Sequence, residues 1–166
     1  MTTRPYVRVV VLDYDGGALT LDCLDSLART EWPADRMEVV LVVNGSLDDL
    51  RTLAAGDVLF VDSTHVSRTG SDVNRIVFEI LPALAPGVFV HLHDMFPGFE
   101  YPAPWVFEGR AWTELYLVRA FLQYNESFEI VLWPNLLAML DHGDVIGRFP
   151  IAAANIGGSL WLRKVR

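Results

Sequence analysis

The chain is poor in cysteine, in long apolar runs and in basic residues. Cys23 is the single cysteine among 166 residues, which excludes an internal disulfide and favours a reducing compartment, the cytoplasm. No apolar run approaches the ~20 residues that a membrane-spanning helix needs, and the first residues lead into a strand pattern rather than a signal peptide. Lysine and arginine number 13 against 21 acidic residues, for a net charge of −8, so nucleic acid is not expected as a partner.

What the chain does contain is enough apolar sequence for a folded core. Hydrophobic residues make up 52% of the sequence, which is too many for a disordered segment. A length of 166 residues fits one domain, so we predict a single domain over residues 1–166. Apolar periodicity predicts six strands, at 7–12, 37–43, 57–62, 88–93, 127–132 and 159–163, and helices at 18–30, 71–84 and 110–123.

The order of these elements predicts an α/β fold. A strand, a helix and a second strand fill the first 43 residues, and a connection of this kind gives parallel strands joined by a right-handed crossover. Residues 96–105 are rich in proline and are predicted to form a long loop rather than a helix, with their aromatic side chains acting as a lid or pocket wall. In the predicted helix that follows, Glu114 and Arg119 are assigned to a solvated or paired face.

Two polar loops follow the third and fourth predicted strands. The first loop contains Asp62, His65 and Asp72, and the second begins at His93 and Asp94. Open α/β sheets bind ligands in the crevice outside the carboxyl ends of their strands. The sequence therefore predicts the functional site at these two loops.

The side chains of the two loops suggest both metal and acid–base chemistry. Asp62, His93 and Asp94 offer two carboxylates and an imidazole, which suits a divalent cation such as Mg²⁺. His65 or His93 is the candidate general base, because imidazole titrates near neutral pH. Two structural interpretations stay open. Asp62 can cap the turn after its strand, and one of His91 and His93, which share a strand face, can be a hydrogen-bonded structural histidine.

Residues 4–49 resemble the start of family-2 glycosyltransferases of the GT-A fold. The similar segments are VRVVVLDYDGG, LDCLDSL, EWPADRMEVVLVV and NGSLDD. The resemblance implies a nucleotide-binding strand–helix–strand unit. The sequence departs from the family at Val43, where the family has an aspartate that helps to hold the nucleotide base, and it has no later Asp-x-Asp metal motif.

Residues 50–164 resemble the C-terminal half of bacterial class I S-adenosylmethionine-dependent methyltransferases. The similar segments are DVLFVDSTHVSRTGSDVN, PALAPGVFVHLHDMFPGFEYPAPW, EGRAWTELYLVRAFL and GGSLWLRK. The resemblance implies a Rossmann-like three-layer sandwich with a mixed, mostly parallel sheet that ends in an antiparallel hairpin. It also implies S-adenosylmethionine as cofactor, and it supports the cation, since catechol-type O-methyltransferases bind a metal at the same two strand ends.

The glycine-rich cofactor turn of that fold has no clear counterpart in this chain. The residues assigned to cofactor binding in its place are Asp13, Gly16, Gly17 and Asp62. We interpret the chain as a glycosyltransferase-like segment, residues 1–46, joined near residues 44–50 to a methyltransferase-like segment, residues 47–166. Whether the two segments share one sheet is not decided by these patterns.

Three functions stay open. The longest motifs favour a methyltransferase that acts on a hydroxyl group of a small molecule or sugar. The N-terminal segment favours a nucleotide-sugar binding protein, and the missing glycine-rich turn favours a non-catalytic remnant. An exposed sheet edge would allow a partner subunit to add to the sheet. The ligand that stabilises the folded chain distinguishes the three functions.

Overall fold

The computed structural model describes residues 4–13, 18–43, 50–148, 150 and 156–166. The strands are β1 (Val7–Asp13), β2 (Met37–Val43), β3 (Val58–Val61), β4 (Phe89–His93), β5 (Phe128–Leu132) and β6 (Ser159–Lys164). The helices are α1 (Ala18–Ala28), α2 (Asp72–Arg75), α3 (Leu81–Ala83), α4 (Ala103–Phe107), α5 (Glu114–Leu122), α6 (Pro134–Leu140) and α7 (His142–Arg148). Ile76–Ile80 is a π-helical turn, and Ala34–Arg36 and Pro97–Phe99 are short 3-10 helices.

The strands form one six-stranded sheet in the order β2-β1-β3-β4-β6-β5. The pairs β1–β2, β1–β3 and β3–β4 are parallel, whereas β6 runs antiparallel to both β4 and β5. This confirms the predicted α/β fold with a mixed, mostly parallel sheet and a C-terminal antiparallel pair. Since β1 pairs directly with β3, the N-terminal strands and the rest of the chain share one sheet.

The core lies along the central strands. Val10, Leu59, Val90 and Leu162 come from four neighbouring strands, and each is at most 1% exposed. Burying a side chain of this size contributes about 1.5 to 3 kcal/mol relative to leaving it in water. The central strands are therefore held firmly by their buried side chains.

The predicted helix over 71–84 is interrupted by a π turn. Ser71 caps its start, because its side chain accepts a hydrogen bond from the backbone N–H of Asn74. Further along, Pro82 has no N–H to donate and its ring crowds the carbonyl four residues earlier. The backbone widens before it, and Leu81 donates to the carbonyl of Ile76, five residues back.

The predicted helix at 110–123 and the predicted loop at 96–105 both need correction. The helix predicted at 110–123 begins only at Glu114, because the N–H groups of Thr113 and Glu114 both donate to the carbonyl of His65. The loop predicted over 96–105 contains the start of α4. Pro104 lies in the first turn of that helix, where a missing N–H costs nothing because the first helical N–H groups have no partner inside the helix.

Among the residues that the structure describes, no helix combines the length and the apolar content that crossing a bilayer requires.

Candidate active site

The candidate site lies where two neighbouring parallel strands end. β3 and β4 pair in register, so that Val61 lies opposite Leu92. Asp62 and His93 are the next residues, and Asp94 follows, which brings all three to the same edge of the sheet. The third and fourth predicted strands are therefore neighbours, as the placement of the site required.

The N-terminal candidates are described only in part. Asp13 is the last residue of β1, and β1 runs parallel to β3, so the backbone of Asp13 reaches the same edge. Gly16 and Gly17 lie outside the described residues. The assignment of these three residues to cofactor binding stays a prediction.

His65 lies at the centre of the site. It is 5% exposed, and its ring lies 4.1 Å from that of Trp112 between centroids. Nδ1 of His65 donates to Oε2 of Glu114 over 2.7 Å. Nε2, on the other side of the ring, lies 3.5 Å from Oδ1 of Asp62 and 3.7 Å from Oδ2 of Asp94. The imidazole thus connects α5 with the ends of both central strands.

Glu114 is buried, and its role at the site was missed by the sequence patterns. The residue is 1% exposed, so it does not lie on a solvated helix face, and it is paired with His65 across 49 residues of sequence. Ser63 donates a second hydrogen bond, of 2.7 Å, to Oε2 of Glu114. One sequence signal could have found it. Glu114 comes four residues before the buried Val118, a spacing that places the two on one helix face.

The charges around His65 favour its protonated form. Burial by itself lowers the pKa of His65, but hydrogen bonds with Asp62 and Glu114 outweigh this effect and raise the pKa to about 9. Burial also opposes ionisation of Asp62, yet the hydrogen bond with His65 and the nearby imidazoles lower its pKa overall. The carboxylates on both sides of the ring therefore favour the imidazolium form of His65 at neutral pH.

His93 is the more accessible histidine of the site. Its side chain is 41% exposed, and its Nε2 lies 3.6 Å from Oδ1 of Asp94, whose side chain is 19% exposed. Burial raises the pKa of Asp94, against the lowering influence of His93 and His65. Asp94 can therefore hold or share a proton more readily than an exposed aspartate.

Two other polar side chains of this region, His91 and Asp72, make contacts that stabilise the local fold. His91 is 8% exposed and stacks on Phe60 with ring centroids 4.5 Å apart. Burial and the nearby His93 lower the pKa of His91 to about 4, which fits a neutral core histidine. The carboxylate of Asp72 accepts hydrogen bonds from the backbone N–H and the hydroxyl of Thr64, so it closes its own loop.

The predicted divalent cation gains no support from the geometry. Across the described parts of the chain, no group of three or more histidine, cysteine, aspartate or glutamate side chains is arranged to hold a metal ion. The physical reason is that Asp62 and Asp94 turn toward His65 and His93. Nε2 of His65 lies between the two carboxylates, 3.5 Å from Asp62 and 3.7 Å from Asp94.

Comparison with known proteins points to one family. A family model described as a methyltransferase domain matches residues 6–95, which is more than half of the 166 residues. The match runs through β1 and β2, so the resemblance of residues 4–49 to glycosyltransferases gains no support from it.

Solved structures also show similarity. One of them is a provisionally assigned methyltransferase from Thermobifida fusca YX, 12% identical, with a TM-score of 0.40 over 98% of this chain and 74% of that chain. A likeness of this size carries no argument about function. No curated protein matches the sequence.

Proposed function

The chain belongs to this methyltransferase-domain family, and from that premise we propose that it transfers a methyl group from S-adenosylmethionine to a hydroxyl group of a small molecule or sugar. The observation that carries the proposal is the set of polar side chains at the carboxyl ends of β3 and β4. Asp62, His93 and Asp94 lie there together, at the edge where α/β sheets of this kind bind their ligands.

The side chains at this edge fit the chemistry of the proposed cofactor. S-adenosylmethionine carries two cationic groups, a sulfonium and an ammonium, and the edge presents the carboxylates of Asp62 and Asp94. The side chain of Asp62 is 44% exposed, and its lowered pKa keeps it ionised at neutral pH. We assign cofactor binding to Asp62, with Asp13, Gly16 and Gly17 contributing from the turn after β1.

Methyl transfer to oxygen requires a proton acceptor. When bound, the cofactor supplies an electrophilic methyl group, whose bond to sulfur breaks with both electrons kept by sulfur while the acceptor oxygen forms the new bond. His93 is the better placed of the two candidate bases, because it is half exposed and lies beside Asp94. His65 has carboxylates near both nitrogens, which raise its pKa to about 9 and favour its protonated form, so it is poorly suited to take a proton from the substrate.

Aromatic side chains next to His65 support a small organic acceptor. Trp112 packs on His65 and makes edge-to-face contacts with Tyr101 and Trp105, with ring centroids 5.6 Å and 5.4 Å apart. The guanidinium of Arg110 lies 4.3 Å above the ring of Trp105. We propose that this aromatic cluster forms one side of the acceptor site, because small-molecule sites are lined mostly by apolar and aromatic side chains.

Calorimetric titration of the purified chain with S-adenosylmethionine tests cofactor binding. We expect saturable binding that weakens in Asp62→Ala and is unchanged in Asp35→Ala. Asp35 is a matched control, because its side chain is 84% exposed and it lies before β2, at the opposite edge of the sheet. Repeating the titration with Mg²⁺ and with EDTA also tests the predicted cation. No binding at millimolar ligand would leave a folded, non-catalytic protein.

Transfer of a labelled methyl group to a panel of hydroxyl acceptors tests the chemistry. His93→Gln should lower turnover about 10²- to 10⁴-fold, the usual contribution of a general base, while cofactor binding persists. Turnover that survives in His93→Gln would assign the proton to another group. Stabilisation by a nucleotide sugar instead of S-adenosylmethionine would contradict the proposed function as a whole.

A further inference from the structure

Glu114 is a buried carboxylate that the proposed reaction does not use directly. Its Oε2 receives two hydrogen bonds, one from Nδ1 of His65 and one from Ser63, each 2.7 Å long. Ser63 also accepts the backbone N–H of His65 over 3.0 Å. The carbonyl of His65 in turn accepts the N–H groups of Thr113 and Glu114, at 2.8 Å and 3.1 Å. The start of α5 therefore holds His65 by both backbone and side chain.

These contacts fix the direction of the His65 ring. A hydrogen on Nδ1 that is bound to Glu114 leaves Nε2 on the far side of the ring, near Asp62 and Asp94. Trp112 covers one face of the ring. Rotation of the ring would break the contact with Glu114, so the carboxylate sets which groups Nε2 can meet.

The two residues joined by the contact between Nε2 of His65 and the Asp94 carboxylate both have unusual backbone angles. His65 and Asp94 have φ angles of 58° and 53°, in the left-handed region that residues other than glycine seldom adopt. Residues in such conformations cluster at functional sites, where the surrounding contacts hold them. Here the two residues face each other across the ends of β3 and β4.

We propose that Glu114 is a positioning residue of the methyl-transfer site, which binds the Nδ1–H of His65 and thereby holds Nε2 between the carboxylates of Asp62 and Asp94. The proposal rests on the proposed function and deepens it. Held in this way, His65 fixes Asp94, which lies beside the proposed base His93. A substitution at Glu114 would then affect the proposed base His93 indirectly, through His65 and Asp94.

Glu114 also differs from an ordinary buried ion pair. Its Oε1 is buried and has no hydrogen-bond partner within the described residues, although buried polar atoms are rarely left unpartnered. Within the described residues, Glu114 therefore makes its side-chain hydrogen bonds through Oε2 alone, to His65 and Ser63.

Nitrogen-15 and proton NMR of the ligand-free chain at neutral pH gives the first test. In the unmodified protein, the Nδ1–H proton of His65 should be shifted downfield and protected from exchange. Glu114→Gln should move this resonance upfield, because the acceptor loses its charge, and Glu79→Gln should leave it unchanged. Glu79 is a matched control, since its side chain is 57% exposed. An unprotected Nδ1–H in the unmodified protein would overturn the proposal.

Kinetics gives the second test. Glu114→Gln should lower kcat about 10- to 100-fold, the usual effect of losing the partner that orients a functional histidine. The dissociation constant of S-adenosylmethionine, measured by calorimetry, should change less than kcat does, because Asp62 keeps its own carboxylate in this variant. Glu79→Gln should leave kcat unchanged. A loss of folding without any specific loss of kcat in the folded fraction would assign Glu114 to stability alone and overturn the proposal.

A third variant covers the case in which Glu114→Gln does not fold. Ser63→Ala removes one donor to Glu114 but keeps the carboxylate, so it should shift the Nδ1–H resonance of His65 and lower kcat by less than Glu114→Gln would. An unshifted resonance in Ser63→Ala would contradict the proposal. If the unmodified chain neither binds S-adenosylmethionine nor transfers methyl groups, the proposed function fails, whereas the NMR result still decides how Glu114 holds His65.

Discussion

At the scale of single residues, His65 should make the free energy of unfolding decrease as the pH becomes alkaline. Its pKa is raised from 6.5 to about 9 in the folded chain, so between these values the folded state holds a proton that the unfolded state has lost. Stability is then fully present below pH 6.5 and falls as pH rises to about 9. A shift of this size corresponds to about 3 kcal/mol. Urea denaturation at a series of pH values measures the decline.

The matched variant for this prediction is His65→Gln. It has no titratable group at this position, so its free energy of unfolding should decline far less over the same range, even though its absolute stability is lower. An equal decline in both proteins would show that other groups are responsible and that His65 is neutral in the folded chain.

His91 gives the opposite dependence on the acid side. Burial and the neighbouring His93 lower its pKa to about 4, so between pH 6.5 and 4 the unfolded state binds a proton that the folded state excludes. Stability should fall with falling pH across this window, by up to about 3 kcal/mol. His91→Phe should flatten this part of the profile, because phenylalanine can keep the stacking on Phe60. An unchanged acid slope in His91→Phe would contradict the prediction.

Contacts between site residues could be predicted from the sequence only where strand ends bring the residues together. Asp62, His93 and Asp94 could be placed together, because each follows an apolar strand and parallel strands end at a common edge. The contact between His65 and Glu114 could not, because it joins residues 49 positions apart and depends on where α5 begins. Without that contact, the sequence offered no reason to prefer His93 over His65 as the candidate base.

At the scale of elements, the turn before β4 depends on Gly87. This residue has a φ of 90°, and a Cβ added to it would lie 2.5 Å from Cβ of Ala55. Gly87→Ala should therefore lower the free energy of unfolding by about 2 to 4 kcal/mol, through backbone strain and overpacking together. Thermal or urea denaturation measures the loss.

Gly109→Ala separates these two causes. Gly109 has the same φ of 90°, but an added Cβ would have nothing within 4 Å. Its substitution should cost only the backbone strain, about 1 to 2 kcal/mol. Equal losses in the two variants would show that Ala55 moves away freely and that overpacking contributes nothing.

Elements whose boundaries follow from local chemistry were predictable. β2 occupies the predicted range 37–43, since a run of β-branched residues between turn signals leaves little choice. The π turn before Pro82 and the late start of α5 were not predictable. Each results from competition for backbone hydrogen bonds, in the first case within the helix and in the second with the carbonyl of His65.

At the scale of the whole molecule, the strand order brings together residues that are far apart in the chain. Local patterns predicted the strands, but not that β1 would lie between β2 and β3, because strand order is set by pairing between distant residues. The register pairs Val10 with Leu59, directly across the proposed join near residues 44–50. We propose that the chain is a single cooperative domain.

Leu59→Ala tests this cooperativity. Leu59 is completely buried on β3, between the strands of the two segments, so its truncation should lower the free energy of unfolding by about 2 to 5 kcal/mol. Leu21→Ala, at a site that is 64% exposed, should have little effect.

Hydrogen exchange at increasing urea, followed separately in peptides from β2 and β6, should show one shared midpoint. In Leu59→Ala, this midpoint should shift by the same amount in both peptides. If β2 lost protection first while β6 kept its own midpoint, the two segments would be independent units, because one cooperative domain loses all of its strands in a single transition.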